Sequence, residues 1–476
     1  MLDLSNWDES TNMKPAGMPN RAEVVALTAG LRQKLISSEE FADLLAAAAD
    51  EELTPMQHAN LRVAGYAHKN ALAIPADLLK ESKRVYSDCE VTWQQARPNN
   101  DWSSVLPKLE HAIGIAIQIS QCLGETFDLD PYDALMNQYE PGIQQASVDG
   151  MFADIREFLV NAVPKVEAAQ QAPTRMAGIF KADDQLALAE ICMQELGFDF
   201  GRGRLDQSAH PFSCGNAFDA RITTRLSQDD FSESLFAVFH ETGHARYTQN
   251  QPSEWVLQFA GEPTGMAVHE SQSLFMEMQV CRSDAFLEFV YPLVEEHLRP
   301  TDDTTGWSLD NFRRAVRFVN RGLIRVYADE MTYPFHILLR YALEKQLCKG
   351  ELAVKDIPDA WNLHMRDMLG VDTRGNYQDG CMQDIHWFAG LFGYFPCYLL
   401  GAIFAAQLQE ACIHKIGEQT ERIRQGDFSA ISTWLAENIH AQGSLMEGEQ
   451  LIQSVTGSEM SARSYISHLK RRYVDA

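Results

Sequence analysis

His240-Glu241-Thr242-Gly243-His244 is the first place in the chain where residue types and spacing together could do chemistry. On a helix the two histidines lie one turn apart, about 6 Å along the axis, so both imidazoles can meet one ion. Zinc takes neutral imidazole and carboxylate in a tetrahedral shell and leaves a fourth position to water in hydrolytic sites. Glu241, beside the first imidazole, stands where a general base for that water belongs. A surface helix carrying His and Glu by accident would show the same five letters. The apolar Leu235, Phe236, Val238 and Phe239 just before them argue for a buried helix, with Asp229, Asp230 or Ser232 available to cap its start.

Such a site needs a third ligand. Glu270, in Gly265-Met266-Ala267-Val268-His269-Glu270-Ser271-Gln272-Ser273, opens a second helical stretch and is the best candidate, with Glu262 and Glu277 as alternatives. Glu277 falls two turns further along the same face, which suits a supporting role behind the ligands. No further histidine follows His244 at the spacing of three-histidine zinc peptidases, so the pattern is that of two histidines and one glutamate.

The elements that must position these residues are mostly helices. Ala22–Leu35, Phe41–Ala49 and Thr54–Leu72 carry apolar residues at intervals of three and four, and the pattern continues through about residue 165. Pro164 and Pro173 bracket an Ala/Gln-rich stretch that reads as a surface connection. Between about 198 and 227 the texture turns to Gly, Asp and Ser with short β-favouring runs, including the alternating Ala220–Leu226. This predicts a small antiparallel sheet of two or three strands. No linker divides the remainder, so the expectation is a mainly α chain, a single domain over 1–476 with that sheet inserted.

Composition narrows the function. The 476 residues include 66 acidic and 40 basic ones, a formal net charge of −26, which repels phosphate backbones and argues against nucleic acid as a partner. Nine cysteines, scattered and without a C-x-x-C pair, point to a reducing compartment. With no signal-like N-terminus in MLDLSNWDES, a cytoplasmic location is expected. Trp387–Leu408 carries no charged residue and is long enough to span a membrane. Pro396, the glycines at 390, 393 and 401 and the absence of a basic flank favour a buried core helix broken by a turn, so no membrane partner is expected.

HETGH followed by HESQS resembles the carboxypeptidase Taq family of zinc metallocarboxypeptidases. Further patterns of that family occur in order: His210-Pro211-Phe212, then Asp219-Ala220-Arg221-Ile222-Thr223, then Ile324-Arg325-Val326-Tyr327-Ala328-Asp329, then Gly380-Cys381-Met382-Gln383-Asp384-Ile385-His386-Trp387. Two departures are visible. Arg246 follows the second motif histidine where an apolar residue is expected, and Leu274-Phe275-Met276 replaces a more polar run.

The resemblance implies a helical fold similar to the neurolysin-like peptidases with a deep groove, usually a homodimer, that releases single amino acids from peptides with a free C-terminus. It names His240, His244 and Glu270 as ligands of Zn2+, with Co2+ or Mn2+ able to take its place. Around the last pattern, Tyr394 or His386 is suited to stabilise an oxyanion, and within the two earlier ones Arg325 or Arg221, or both, to bind the substrate carboxylate through a guanidinium fork. Arg325 or Arg221 could instead pair internally with Asp329 or Asp219. His210 and His269 could bind substrate backbone or orient ligands. An oligopeptidase that cuts internally and a catalytically idle metal-binding helical protein are the rival readings.

Overall fold

The computed structural model describes residues 2–475. Helix follows helix from Leu2 to Ala169, and Met18–Ile36, Glu39–Ala49 and Pro55–Ala73 overlie the three segments expected from apolar spacing. Trp102–Phe127 shows the cause most plainly. Its buried Val105, Leu109, Ala112, Ile113, Ala116 and Leu123 recur at three and four, and Asp101 accepts the Ser104 N–H at 3.1 Å to cap the start. The expectation at Pro164 needs correction: Gln145–Ala169 runs through it, and the irregular connection begins only at Gln170. Pro164 lies on the exposed side, where water can satisfy the carbonyl that loses its donor.

The sheet has three strands, β1 (Gly203–Gln207), β2 (Phe212–Asn216) and β3 (Asp219–Thr224), in the order β1-β3-β2. It is mixed rather than wholly antiparallel: β2 pairs with β3 antiparallel, and β1 pairs with β3 parallel. Residues 208–211 do not form a hairpin but cross the end of β3. The Thr223 hydroxyl accepts the Ser208 hydroxyl at 2.7 Å and the Phe212 N–H at 3.1 Å there. Ala220 and Ile222 of β3 are fully buried and join a core with Ala189, Met193 and Phe198, and with Val238 and Ala245 of the following helix. The sheet is the floor against which that helix is held.

The chain folds into two compact units, each assembled from three separate stretches. One comprises Met1–Ala67, Gln171–Phe318 and Gly401–Met460; the other comprises His68–Gln170, Val319–Leu400 and Ser461–Ala476. The charge-free segment forms turns and then the helix Phe395–Ile416, as the turn-broken reading anticipated. That helix is long and apolar enough to cross a membrane, and 72% of its most apolar window is buried inside the protein.

Candidate metal centre

Ser232–Gln249 is the helix that carries HETGH. Its start differs from expectation: Phe231 takes the capping position, and Asp230 acts from one residue earlier by accepting the Ser232 N–H at 2.8 Å. Leu235, Phe236, Val238 and Phe239 are buried, which turns His240 and His244 toward the second helix, Met266–Leu274. The two backbones touch at Gly243. A Cβ there would lie 2.5 Å from the Gln272 carbonyl oxygen and 2.6 Å from Ser273 Cα. On its other side Glu270 packs against Gly401, where a Cβ would lie 2.6 Å from Glu270 Cγ.

This packing brings His240, His244 and Glu270 into one cluster, each offering a ligand atom within 4.8 Å of the others. Glu270 Oε2 is 3.4 Å from His244 Nε2 and 3.9 Å from His240 Nε2. A tetrahedral ion bound at about 2.0–2.1 Å spaces its ligand atoms by about 3.3 Å. The donor set therefore fits a zinc-like cation. Glu262 lies outside the cluster.

The far nitrogens of both imidazoles are engaged. His240 Nδ1 meets Glu277 Oε2 at 3.0 Å, and Glu277 is itself held by Arg282 at 2.8 Å. His244 Nδ1 lies 3.0 Å from the His269 carbonyl oxygen and 2.7 Å from His269 Nδ1. Each ring is thus set with Nε2 toward Glu270, the arrangement in which supporting hydrogen bonds fix tautomer and orientation. Glu277 can do this because the chain widens into a π-helical turn over Phe275–Cys281, where the unexpected Leu274-Phe275-Met276 run is buried. Sequence spacing alone did not reveal Arg282 as the partner of Glu277.

Electrostatics follow from the crowding. Burial works against a charge on His240, but Glu270, Glu277 and Glu241 outweigh it and raise its pKa to about 9 in the metal-free protein. Glu241 is buried, and burial raises its pKa despite the opposing His244 and His240. Burial, with His244 and His240 nearby, holds His269 well below the ordinary histidine range. For Glu277 burial is overcome by Arg282 and His240, which keep the carboxyl below its usual value.

Arg246, the other departure, is a buried support. Its Nη1 donates to the Leu196 carbonyl at 2.7 Å and to Ser432 Oγ at 2.8 Å. Gly197 leaves the space its guanidinium fills.

The remaining candidates lie elsewhere. His210 is exposed in the loop between β1 and β2. Arg221 pairs with Asp219 at 2.7 Å and stacks over Trp7, its guanidinium carbon 4.0 Å from the ring centre. In the other unit His386 and Tyr394 sit with ring centres 5.6 Å apart, and His386 Nε2 is 3.1 Å from Tyr398 Oη. Arg325 bonds Asp384 at 2.9 Å, not Asp329, and Arg340 binds the same carboxylate. Asp329 is taken instead by the local N–H groups of Met331 at 2.9 Å and Thr332 at 3.1 Å. Two guanidinium groups on one aspartate leave this group net positive. Burial, opposed by Asp384 and helped by Arg325 and Arg340, lowers His386 to about 3, a neutral ring.

A pair of helices presenting two imidazoles, a carboxylate that could share a metal ion with them and an adjacent buried glutamate is the arrangement of a metallohydrolase. The family model of the carboxypeptidase Taq (M32) metallopeptidases matches residues 1–473. Thermostable carboxypeptidase 1 of Thermus thermophilus is 35% identical over 487 residues, covering 99% of this chain and 94% of that one. Carboxypeptidase 1 of Bacillus subtilis is 33% identical over 475 residues, covering 99% and 94%. Among solved structures, metallocarboxypeptidase 1 of Trypanosoma cruzi superimposes with a TM-score of 0.96 at 35% identity, covering 100% of this chain and 96% of that one. The M32 carboxypeptidase of Deinococcus radiodurans gives 0.93 at 32%, covering 100% and 95%. The chain belongs to the carboxypeptidase Taq family of metallopeptidases and is a carboxypeptidase, a peptide hydrolase.

Proposed function

We propose that the enzyme is a zinc carboxypeptidase in which His240, His244 and Glu270 hold the ion and Glu241 is the general base. The observation that carries the reading is the convergence of two Nε2 atoms and one carboxylate oxygen, with both Nδ1 atoms already engaged. When bound, a divalent cation supplies Lewis acidity to the scissile carbonyl and to an attacking water. Glu241 takes the proton of that water. Its burial raises its basicity toward working pH, which suits it to accept the proton and pass it to the leaving amine. His386 or Tyr394 donates to the developing oxyanion; the neutral state of His386 supports a donor that adds no full charge. Arg325 binds the substrate's terminal carboxylate, supported by the positive excess it forms with Arg340 and Asp384. Arg221 is the weaker choice because Asp219 already balances it.

The products are single C-terminal amino acids, and a homodimer is part of the same reading, as is the reducing cytoplasm, which the nine free cysteines support. One peptide offered with a free or an amidated C-terminus tests the carboxylate anchor; equal cleavage of both would favour the internally cutting oligopeptidase. Glu241→Gln should retain zinc and lose activity by about 10²–10⁴-fold, and full activity in that variant would refute the assigned base.

A further inference from the structure

Helix Ser429–Asn438 is followed by a short turn, His440–Gln442, whose first residue is buried in the unit that holds the metal candidates. Nothing in the chemistry above uses His440. Its Nδ1 lies 3.1 Å from Asn250 Nδ2 and its Nε2 lies 3.1 Å from Gln272 Oε1. An amide nitrogen only donates and an amide oxygen only accepts, so Nδ1 is bare and Nε2 carries the proton. Reversing both amides would exchange the tautomer and keep the bridge. With the amides as placed, both bonds are complete only for a neutral ring, and burial, with Arg246 nearby, holds its pKa well below the ordinary histidine value.

The two partners are informative. Asn250 closes the HETGH helix, its N–H bonded to the Arg246 carbonyl at 3.1 Å. Gln272 sits two residues beyond Glu270 on the other ligand helix. Between them the Tyr247 ring lies 5.4 Å from His440 and 5.3 Å from His269, which contacts His244. The residues after His440 grip the segment joining the two helices: Ser444 N–H donates to the Ala260 carbonyl at 2.9 Å, and Ser444 Oγ donates to the Glu262 carbonyl at 2.7 Å.

We infer that His440 is a positioning residue of the metal centre, a neutral imidazole that ties the end of one ligand helix to the middle of the other and so holds Glu270 at His240 and His244. The inference rests on the reading of those three residues as metal ligands.

The test uses the full-length chain stripped of metal, as wild type, His440→Phe, His440→Gln, Gln272→Leu and Glu270→Ala. Three quantities are measured: the zinc dissociation constant by chelator competition, the visible absorption of the Co2+-loaded protein, and the unfolding midpoint of the metal-free form. His440→Phe and Gln272→Leu should weaken zinc binding about tenfold or more and shift the cobalt band. His440→Gln, which keeps a donor and an acceptor, should recover most of the affinity. Wild-type affinity and spectrum in His440→Phe, or in Gln272→Leu should the first variant not fold, would overturn the inference. So would equal losses in His440→Phe and His440→Gln, which would make the effect one of packing. Undiminished zinc binding by Glu270→Ala would instead overturn the metal reading, and the bridge with it.

Discussion

Gly243→Ala is the sharpest perturbation of the proposed centre, because it adds one methyl group where two helix backbones meet. That carbon would stand 2.5 Å from the Gln272 oxygen and 2.6 Å from Ser273 Cα, whereas ordinary contact begins at 3.4 Å. The helices must therefore part by about 0.9 Å, and both obstacles are main chain, which cannot swing aside as a side chain can. Overpacking of this kind costs about 1–3 kcal/mol, offset by about 1 kcal/mol from replacing glycine inside a helix. The larger effect falls on the ligands. His244 follows Gly243 directly and Glu270 precedes Gln272 by two, so the 3.4 Å between His244 Nε2 and Glu270 Oε2 should widen beyond what one small ion bridges.

Zinc affinity should fall by about ten- to a hundredfold while global stability changes by no more than about 2 kcal/mol, the surplus of the strain over the propensity gain. Chelator competition reads the first and urea unfolding of the metal-free protein reads the second. Gly150→Ala is the control: it lies in helix Gln145–Ala169, its added carbon meets nothing within 4 Å, and it should gain about 0.5–1 kcal/mol with zinc affinity untouched. A Gly243→Ala protein with wild-type affinity and an unchanged midpoint would refute the claimed contact of the two helices.

Three further outcomes follow from burial and charge. Because His240 is raised to about 9 without metal, zinc must displace its proton at neutral pH; affinity should rise about tenfold per pH unit up to pH 9, with about one proton released in calorimetry across buffers. Asp384→Asn leaves the buried Arg325 and Arg340 without their shared counter-charge and should cost about 3–5 kcal/mol in denaturant unfolding. Glu344, whose carboxylate meets Trp387 Nε1 at 2.7 Å, Tyr132 Oη at 2.8 Å and Gly393 N at 3.0 Å, is nonetheless raised by burial to about 7. Its folded pKa exceeds the unfolded one, so its contribution, on the order of 3 kcal/mol, is complete below about pH 4.5 and lost as pH rises through 7; a stability profile of Glu344→Gln should lack that slope.

The pairing of His240 with His244 was legible in the sequence because helical periodicity alone puts residues four apart on one face. Glu270 was favoured over Glu262 and Glu277 by its place at the start of the second helical stretch, and the family resemblance names the same residue. What hid the rest was departure from regular geometry. The π-helical turn at Phe275–Cys281 changes which side chains align, so Arg282 meets Glu277 five residues away rather than four. Arg325 and Asp329 look like a helical pair four apart, but only Arg325–Tyr327 forms a turn; the backbone then extends, Asp329 caps nearby N–H groups, and Asp384 becomes the partner. β1 was misread as antiparallel because strand-like alternation carries no information about which neighbour a strand will find.

The same packing bears on why the spacer positions of the motif are not free. In HETGH the second spacer is a glycine whose missing side chain is the point of approach for the other ligand helix, and Gly401 plays the equivalent part behind Glu270. A glutamate gives up about 1.5–2 kcal/mol of side-chain freedom when it is fixed. Here packing of the side chain against Gly401, on a helix held close to its neighbour at Gly243, imposes that cost during folding, so the carboxylate is already in place for an ion. Precision at the cation is therefore set by backbone approach on two sides and not by the ligands alone, which makes the glycines as much a part of the metal centre as the residues that would touch the ion.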